Sequence, residues 1–198
     1  VVSGLALGID GAAHEGALQG PGSTIAVVGT GLDQTYPRRH TELARQIADK
    51  GLIVSEYSLG SPPLPIHFPA RNRIIAGLAR GTLVVEAALP SGSLITARLA
   101  AEAGREVFAV PGPIRAPQSR GCHALIKQGA KLVETAEDIF EELHMVLPPA
   151  AGTGSPPAGP KESDPLLRAL GCEPVTLDEL VNRTGCSAAE LNTRLLDL

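Results

Sequence analysis

The chain has 198 residues, 43% of them apolar, and carries 17 Lys and Arg against 21 Asp and Glu for a net charge of −4. That length buries one good core with room for a small second module, and no apolar run approaches the roughly 18 residues that a membrane-spanning helix needs. Cys122, Cys172 and Cys186 form no CxxC pair and stand among no clustered histidines, against a zinc site or disulfide framework and in favour of a reducing cytoplasm; 3% aromatic residues argue against reading bases mainly by stacking.

The opening "VVSGLALGIDGAAHEGAL" starts without Met at the end of a strand-like run, and the closing Leu-Asp-Leu lies inside a helical pattern. Both ends read as cuts, with a preceding βα unit removed. Ser3 and Gly4 follow the first run, Gly8 permits a tight turn, and Asp10 is placed to cap a helix over 10–19. The Val- and Ile-rich runs "TIAVVGT" (24–30), "GLIVSEY" (51–57), "TLVVEAA" (82–88) and "EVFAVPG" (106–112) are nearly continuous, the pattern of strands buried on both faces. Helical patterns at 38–50, 68–80, 93–104 and 119–129 alternate with them. Repeated β-then-α order predicts an α/β fold: a Rossmann-like domain over 1–144 with a mostly parallel sheet covered on both sides.

Residues 145–163, rich in Pro, Gly and Ala, read as a linker. Over 164–198, three short helical patterns predict a partial helix-turn-helix or winged-helix domain, with capping boxes at Thr176/Glu179 and Ser187/Glu190. Its prospective recognition helix carries one basic residue, Arg194, so a protein-contact role suits it at least as well as DNA reading.

Charge is unevenly spread. Residues 1–132 hold 13 Lys and Arg against 9 Asp and Glu, whereas 133–198 hold 4 against 12. The acidic part repels nucleic acid; the basic part admits it.

Ligands of open parallel sheets bind beyond the carboxyl ends of the strands, and three segments put small residues there. Ser3 and Gly4 are the first, and Gly29-Thr30-Gly31 the second. That second loop is not GxGxxG, so no dinucleotide cofactor is expected. In the third, Ser91-Gly92-Ser93 leads into a helix through Thr96, an N-cap whose free amides, hydroxyls and dipole suit a phosphate-sized anion. "FPARNRIIAGLAR" (68–80) adds Arg71, Asn72 and Arg73 near a helix N-terminus, where cations are unfavourable unless an anion is close. The internal alternative is that Arg71 pairs with Glu56 or Glu86. Glu86, at a strand end, is equally a candidate general base, and His14 a structural hydrogen-bonder.

The stretches "SGLALGIDGAAHEGAL", "GTGLDQTYPRRH", "SEYSLGSPPLPIHFPARNRIIAGLA", "LVVEAALPSGSLITARLAAEAGREVFAVPG" and "GCHALIKQGAKLV" closely resemble, in order and over about residues 1–140, the DprA/Smf family of DNA-processing proteins. The resemblance implies an extended Rossmann fold, often followed by a winged helix. It also implies binding of single-stranded DNA, a homodimer, and loading of the RecA recombinase onto incoming strands in natural transformation, without cofactor, metal or catalysis. Carried over residue by residue, the pocket would comprise Ser3, Gly4, Gly29, Thr30, Gly31, Arg71, Asn72, Arg73, Ser91, Gly92, Ser93 and Thr96, with Lys127 peripheral. Family members also carry a Gly-Ser-Arg strand end that falls before Val1. Ile139, Phe140 and Leu143 are candidates for the dimer interface.

Two other readings stand beside this one. A Rossmann-like nucleotide phosphoribohydrolase of the lysine decarboxylase-like group has a related architecture, but its PGGxGTxxE glutamate has no counterpart after Pro90-Ser91-Gly92-Ser93. In a protein-interaction scaffold, the acidic C-terminal part would do the work.

Overall fold

The computed structural model describes residues 1–145, 165–170 and 175–196. Nearly all of the expected linker, and Cys172, lie outside them. The chain divides into two units, Val1–Val146 and Leu147–Leu198.

In the first unit, strands and helices alternate: β1 (Val2–Ser3), α1 (Ile9–Gln19), β2 (Ile25–Val27), α2 (Thr41–Lys50), β3 (Leu52–Val54), α3 (His67–Leu78), β4 (Gly81–Val84), α4 (Gly92–Glu102), β5 (Glu106–Ala109), α5 (Arg120–Lys127), β6 (Lys131–Leu132) and α6 (Ala136–Glu142). Every pairing is parallel. Each crossover is helical, as parallel strands require.

Two apolar clusters hold this unit together. Leu43, Ala44 and Ile47, on one face of α2, pack with Leu5, Ala26 and Val28. Ala97 of α4 and Cys122 and Leu125 of α5 pack with Val84, Ala87 and Ala109. Gly121 lets α5 approach closely, since a Cβ there would lie 2.5 Å from the Ala87 carbonyl. Full burial of a side chain such as Ile47 or Phe108 contributes about 2 kcal/mol.

The structure departs from the expected single sheet. Strand order is β1-β2-β3 in one sheet and β4-β5-β6 in another, and β1 and β4 each leave one edge unpaired. The strands are also shorter than the apolar runs, because their carboxyl ends turn away into loops. Nor are they all buried on both faces. Val84 is buried, but Leu83 on the other face of β4 is 41% exposed, and Leu52, Val85 and Leu132 are exposed as well.

Helix starts shift too. The 38–50 pattern is a 3-10 turn at Arg38–His40 followed by α2. Helix α3 begins two residues before Pro69, so Arg71 and Arg73 sit beyond its first turn. Their penalty from the helix dipole is correspondingly smaller than the sequence suggests.

In the second unit, α7 (Pro165–Leu170), α8 (Leu177–Thr184) and α9 (Ala188–Leu196) surround Leu166, Leu180 and Leu191. The Ser187/Glu190 capping box is reciprocal: the Glu190 carboxylate accepts from the Ser187 amide at 3.0 Å, and the Ser187 hydroxyl from the Glu190 amide at 3.4 Å. Only half of the Thr176/Glu179 box forms. Thr176 accepts from the Glu179 amide, while the Glu179 carboxylate pairs with Arg183 at 2.8 Å.

Candidate functional site

A cavity of ≈ 310 Å³ opens between the unpaired edges of β1 and β4, with Thr82, Leu83 and Val84 of β4 in its wall, and reaches the start of α4. The β1–α1 segment supplies Ser3, Ala6 and Asp10 to its wall, α3 supplies Phe68, Arg71 and Asn72, and α4 supplies Gly92, Ser93 and Thr96. A second hollow of ≈ 350 Å³ adjoins it, lined by Gly4, Leu7, Tyr36 and Pro37, with Ala6, Phe68 and Arg71 common to both. The Tyr36 and Phe68 rings touch at 5.4 Å between centroids.

Arg71 is the centre of this arrangement. Only 6% of its surface is exposed. Its Nη1 donates to the Val27 carbonyl and its Nε to the Phe68 carbonyl. Among the described residues Nη2 has no partner. Burial lowers the guanidinium pKa from its ordinary value, and the carboxylate of Asp10 works in the opposite sense. An arginine in such surroundings still carries its proton. Gly4 makes the position possible, because any Cβ there would fall inside the Arg71 guanidinium.

The start of α4 supplies the other half. Ser91 is the N-cap, and its hydroxyl accepts from the Ser93 amide at 3.2 Å. The Asn72 amide donates to the Gly92 carbonyl at 3.5 Å, and the Thr96 hydroxyl to the same carbonyl at 3.4 Å. Helices α3 and α4 follow β3 and β4, which lie in different sheets, so strand adjacency does not bring their starts together. Direct packing of α3 on α4 does. Gly92 and Ser93 line the same cavity as Arg71, and the first turn of a helix is where free amides and the dipole favour an anion.

Of the residues singled out by sequence, the structure gathers Ser3, Gly4, Arg71, Asn72, Gly92, Ser93 and Thr96 around the two hollows, while Ser91, the cap of α4, lines a separate cleft between α4 and α5. Arg73 turns aside to an exposed ion pair with Glu56. Glu56 thus does bind an arginine, but it is Arg73 and not Arg71. Gly29, Thr30 and Gly31 line neither hollow. Phe68 packs 3.1 Å from a Cβ placed at Gly29, the Thr30 hydroxyl donates to the Gln34 carbonyl at 2.8 Å, and the Thr30 carbonyl accepts from Ser55. Lys127 closes α5 at the opposite edge, next to the amino end of β6, and does not join them.

Sequence reasoning missed two contributors. Asp10 does not cap α1, whose N-cap is Gly8. Its carboxylate instead reaches back to accept from the Gly4 and Ala6 amides at 3.0 and 3.2 Å, fixing the β1–α1 loop beside Arg71. Phe68 was visible only as a residue before Pro69; no periodicity signals that it lines both hollows. Glu86 is exposed, with no hydrogen bond or ion pair among the described residues. A larger cleft of ≈ 980 Å³ runs between α4 and α5, but its lining is mostly apolar and contains neither Arg71 nor Asp10.

Known proteins resemble the chain over both of its units. A family model described as DNA recombination-mediator protein A matches residues 1–144, and one described as the DprA winged helix domain matches 148–198. Protein Smf of Escherichia coli is 50% identical over 207 residues, covering 100% of this chain and 55% of the relative. The DNA processing protein DprA of Streptococcus pneumoniae is 57% identical over 142 residues, 72% of this chain and 50% of the relative. The chain therefore spans about half the length of these curated relatives. The crystal structure of the S. pneumoniae protein aligns with a TM-score of 0.69 at 57% identity, over 71% of this chain and 50% of that one. A structure of DNA processing protein A from Helicobacter pylori, described for its single-stranded DNA binding mode, aligns with a TM-score of 0.66 at 35% identity, over 72% and 65%.

Proposed function

The chain belongs to the DprA/Smf family, and from that premise we propose that it binds single-stranded DNA by its phosphates at the carboxyl edge of the strands, without catalysing a reaction on it. The observation that carries this reading is the convergence of buried Arg71 and the N-terminus of α4 on one open cavity. A cation without a full set of protein partners, beside a helix dipole, matches a phosphodiester. The contacts are to backbone, so the binding is salt-sensitive and only weakly selective for sequence.

Acting on DNA as a recombination mediator, the protein would hand the bound strand to the RecA recombinase in the cytoplasm, during natural transformation. It would do so as a homodimer, with half-buried Ile139, Phe140 and Leu143 of the α6 region as interface candidates. The hydrolase alternative needs a free carboxylate over the ligand. The carboxylate in the cavity, Asp10, is instead held by two backbone amides, which favours the non-catalytic role.

Ser93→Asp tests the reading. A carboxylate in the first turn of α4 stabilises the helix by about 0.3–1 kcal/mol yet repels a phosphate seated there. The expected result is affinity for a dT20 oligonucleotide reduced about tenfold or more at low salt, equivalent to about 1.4 kcal/mol, with an unfolding midpoint unchanged or raised. Unchanged affinity at every salt concentration sinks the proposal.

A further inference from the structure

We propose that the turn Pro113–Ala116, between β5 and α5, is a second contact for single-stranded nucleic acid, with Arg115 meeting a phosphate and Ile114 the face of an unstacked base. This rests on the proposed function and extends the path of the strand beyond Arg71 and α4.

The turn lies at the same carboxyl edge, because β5 is paired in parallel with β4. It is also tied to the loop that leads into α4. The Ala87 amide donates to the Gln118 carbonyl at 2.8 Å, and the Gly121 amide donates to the Ala87 carbonyl at 2.7 Å. Adjacent parallel strands are about 4.8 Å apart, so a strand of nucleic acid leaving α4 meets this turn within a few nucleotides.

The turn is built to project two side chains. Its ends are closed by the Ala116 amide donating to the Pro113 carbonyl at 3.0 Å, and His123 Nε2 lies 3.0 Å from the Gly112 carbonyl. Ile114 and Arg115 occupy the two central positions. Ile114 is 83% exposed, more than any other large hydrophobic residue among those described. Arg115 is exposed and has no ion pair or side-chain hydrogen bond among the described residues. Folding gains nothing from either side chain.

The electrostatics point the same way. No Asp or Glu occurs between Glu106 and Glu134, and although packing brings Glu86 near Cys122 of α5, neither Arg115 nor Arg120 makes an ion pair among the described residues. Arg120 opens α5, where an unpaired cation opposes the helix dipole. An apolar tip beside arginines that make no ion pair fits a polyanion with accessible base faces better than it fits a duplex, whose bases are stacked away.

The test compares the full chain with Arg115→Ala and with Ile114→Ser/Arg115→Ala by fluorescence anisotropy on dT6 and dT20. Arg115→Ala is expected to flatten the plot of log affinity against log salt for dT20 by about 0.7, the loss of one single-strand phosphate contact. Arg115→Lys restores the slope. The double variant is expected to bind dT20 about tenfold more weakly than the parent, leave dT6 unchanged, and unfold at the same midpoint. Parental affinity and slope for dT20 in the double variant overturn the proposal. If Ser93→Asp weakens binding while the loop variants do not, only this second contact falls. If the parent does not bind dT20 at all, both readings fall together.

Discussion

Two buried nitrogen-bearing side chains, Arg71 and His14, are held in opposite charge states by what surrounds them. Arg71 keeps its charge because two backbone carbonyls accept from it and Asp10 lies near. His14 is 0% exposed and neutral: burial lowers its pKa to about 4, against a smaller raising effect from Asp10. Thr24 donates its hydroxyl proton to the Val1 carbonyl at 3.0 Å, so His14 Nδ1 is the donor across the 2.7 Å contact to Thr24, and Nε2 is left without a partner. The unfolded ring takes up a proton near pH 6.5 and the native one only near 4. Stability is therefore lost as pH falls through that interval, by roughly 3 kcal/mol at most. His14→Asn keeps a donor for Thr24 and removes the titration. Urea unfolding between pH 7 and 4 should show a flatter pH dependence in the variant, and an equal slope in both proteins would rule His14 out as its source. The sequence marked His14 as a hydrogen-bonder, since a lone histidine on a helix face is usually that. It did not reveal how Arg71 is seated. That seat depends on the carbonyl of Val27, 44 positions away, and on the missing Cβ of Gly4, neither of which has a periodic signature.

At the level of elements, α4 has the clearer start and α3 the less certain one. Ser91 is extended, with φ −142 and ψ 146, and its hydroxyl satisfies the Ser93 amide. Replacing a capping Ser by Ala costs about 1 kcal/mol, and by Gly only a few tenths. Ser91→Ala should lower the stability read by urea unfolding by that amount and Ser91→Gly by less; equal losses would mean that Ser91 matters for packing and not as a cap. This start was legible because Ser-Gly-Ser before an apolar periodic run is a local signal. The pattern at 68–80 begins one residue late and ends two late against α3 at His67–Leu78, because Pro69 fits more than one position of a first turn. Helix α6 and strand β6 went unseen for a related reason. The α6 capping box joins Thr135 to Asp138 and not to the usual glutamate, and the helix spans seven residues, too few for periodicity to show. The order of strands and helices as far as α5 was read correctly because each is a local pattern. Their division into two sheets was not, since pairing between strands distant in sequence leaves no mark in either run.

Across the whole molecule, charge and core divide along the same line. The second unit has its own cluster around Leu166, Leu180 and Leu191, containing no residue of the first. Residues 147–198 carry 4 Lys and Arg against 7 Asp and Glu. The proposed phosphate contacts all belong to the first unit, whose length is ample for an independent core. A chain ending at Val146 should then unfold in one cooperative transition and bind dT20 at least as tightly as the full chain. Any gain should come from removing negative charge, so it should be largest at low ionic strength and vanish where the Debye length falls to about 3 Å, near 1 M salt. Anisotropy titrations across salt, with unfolding curves for both lengths, make the comparison. A tenfold loss of affinity in the shortened chain, with its fold intact, would place the main DNA contacts in the second unit. Arg71 and the start of α4 would then bind some other anion.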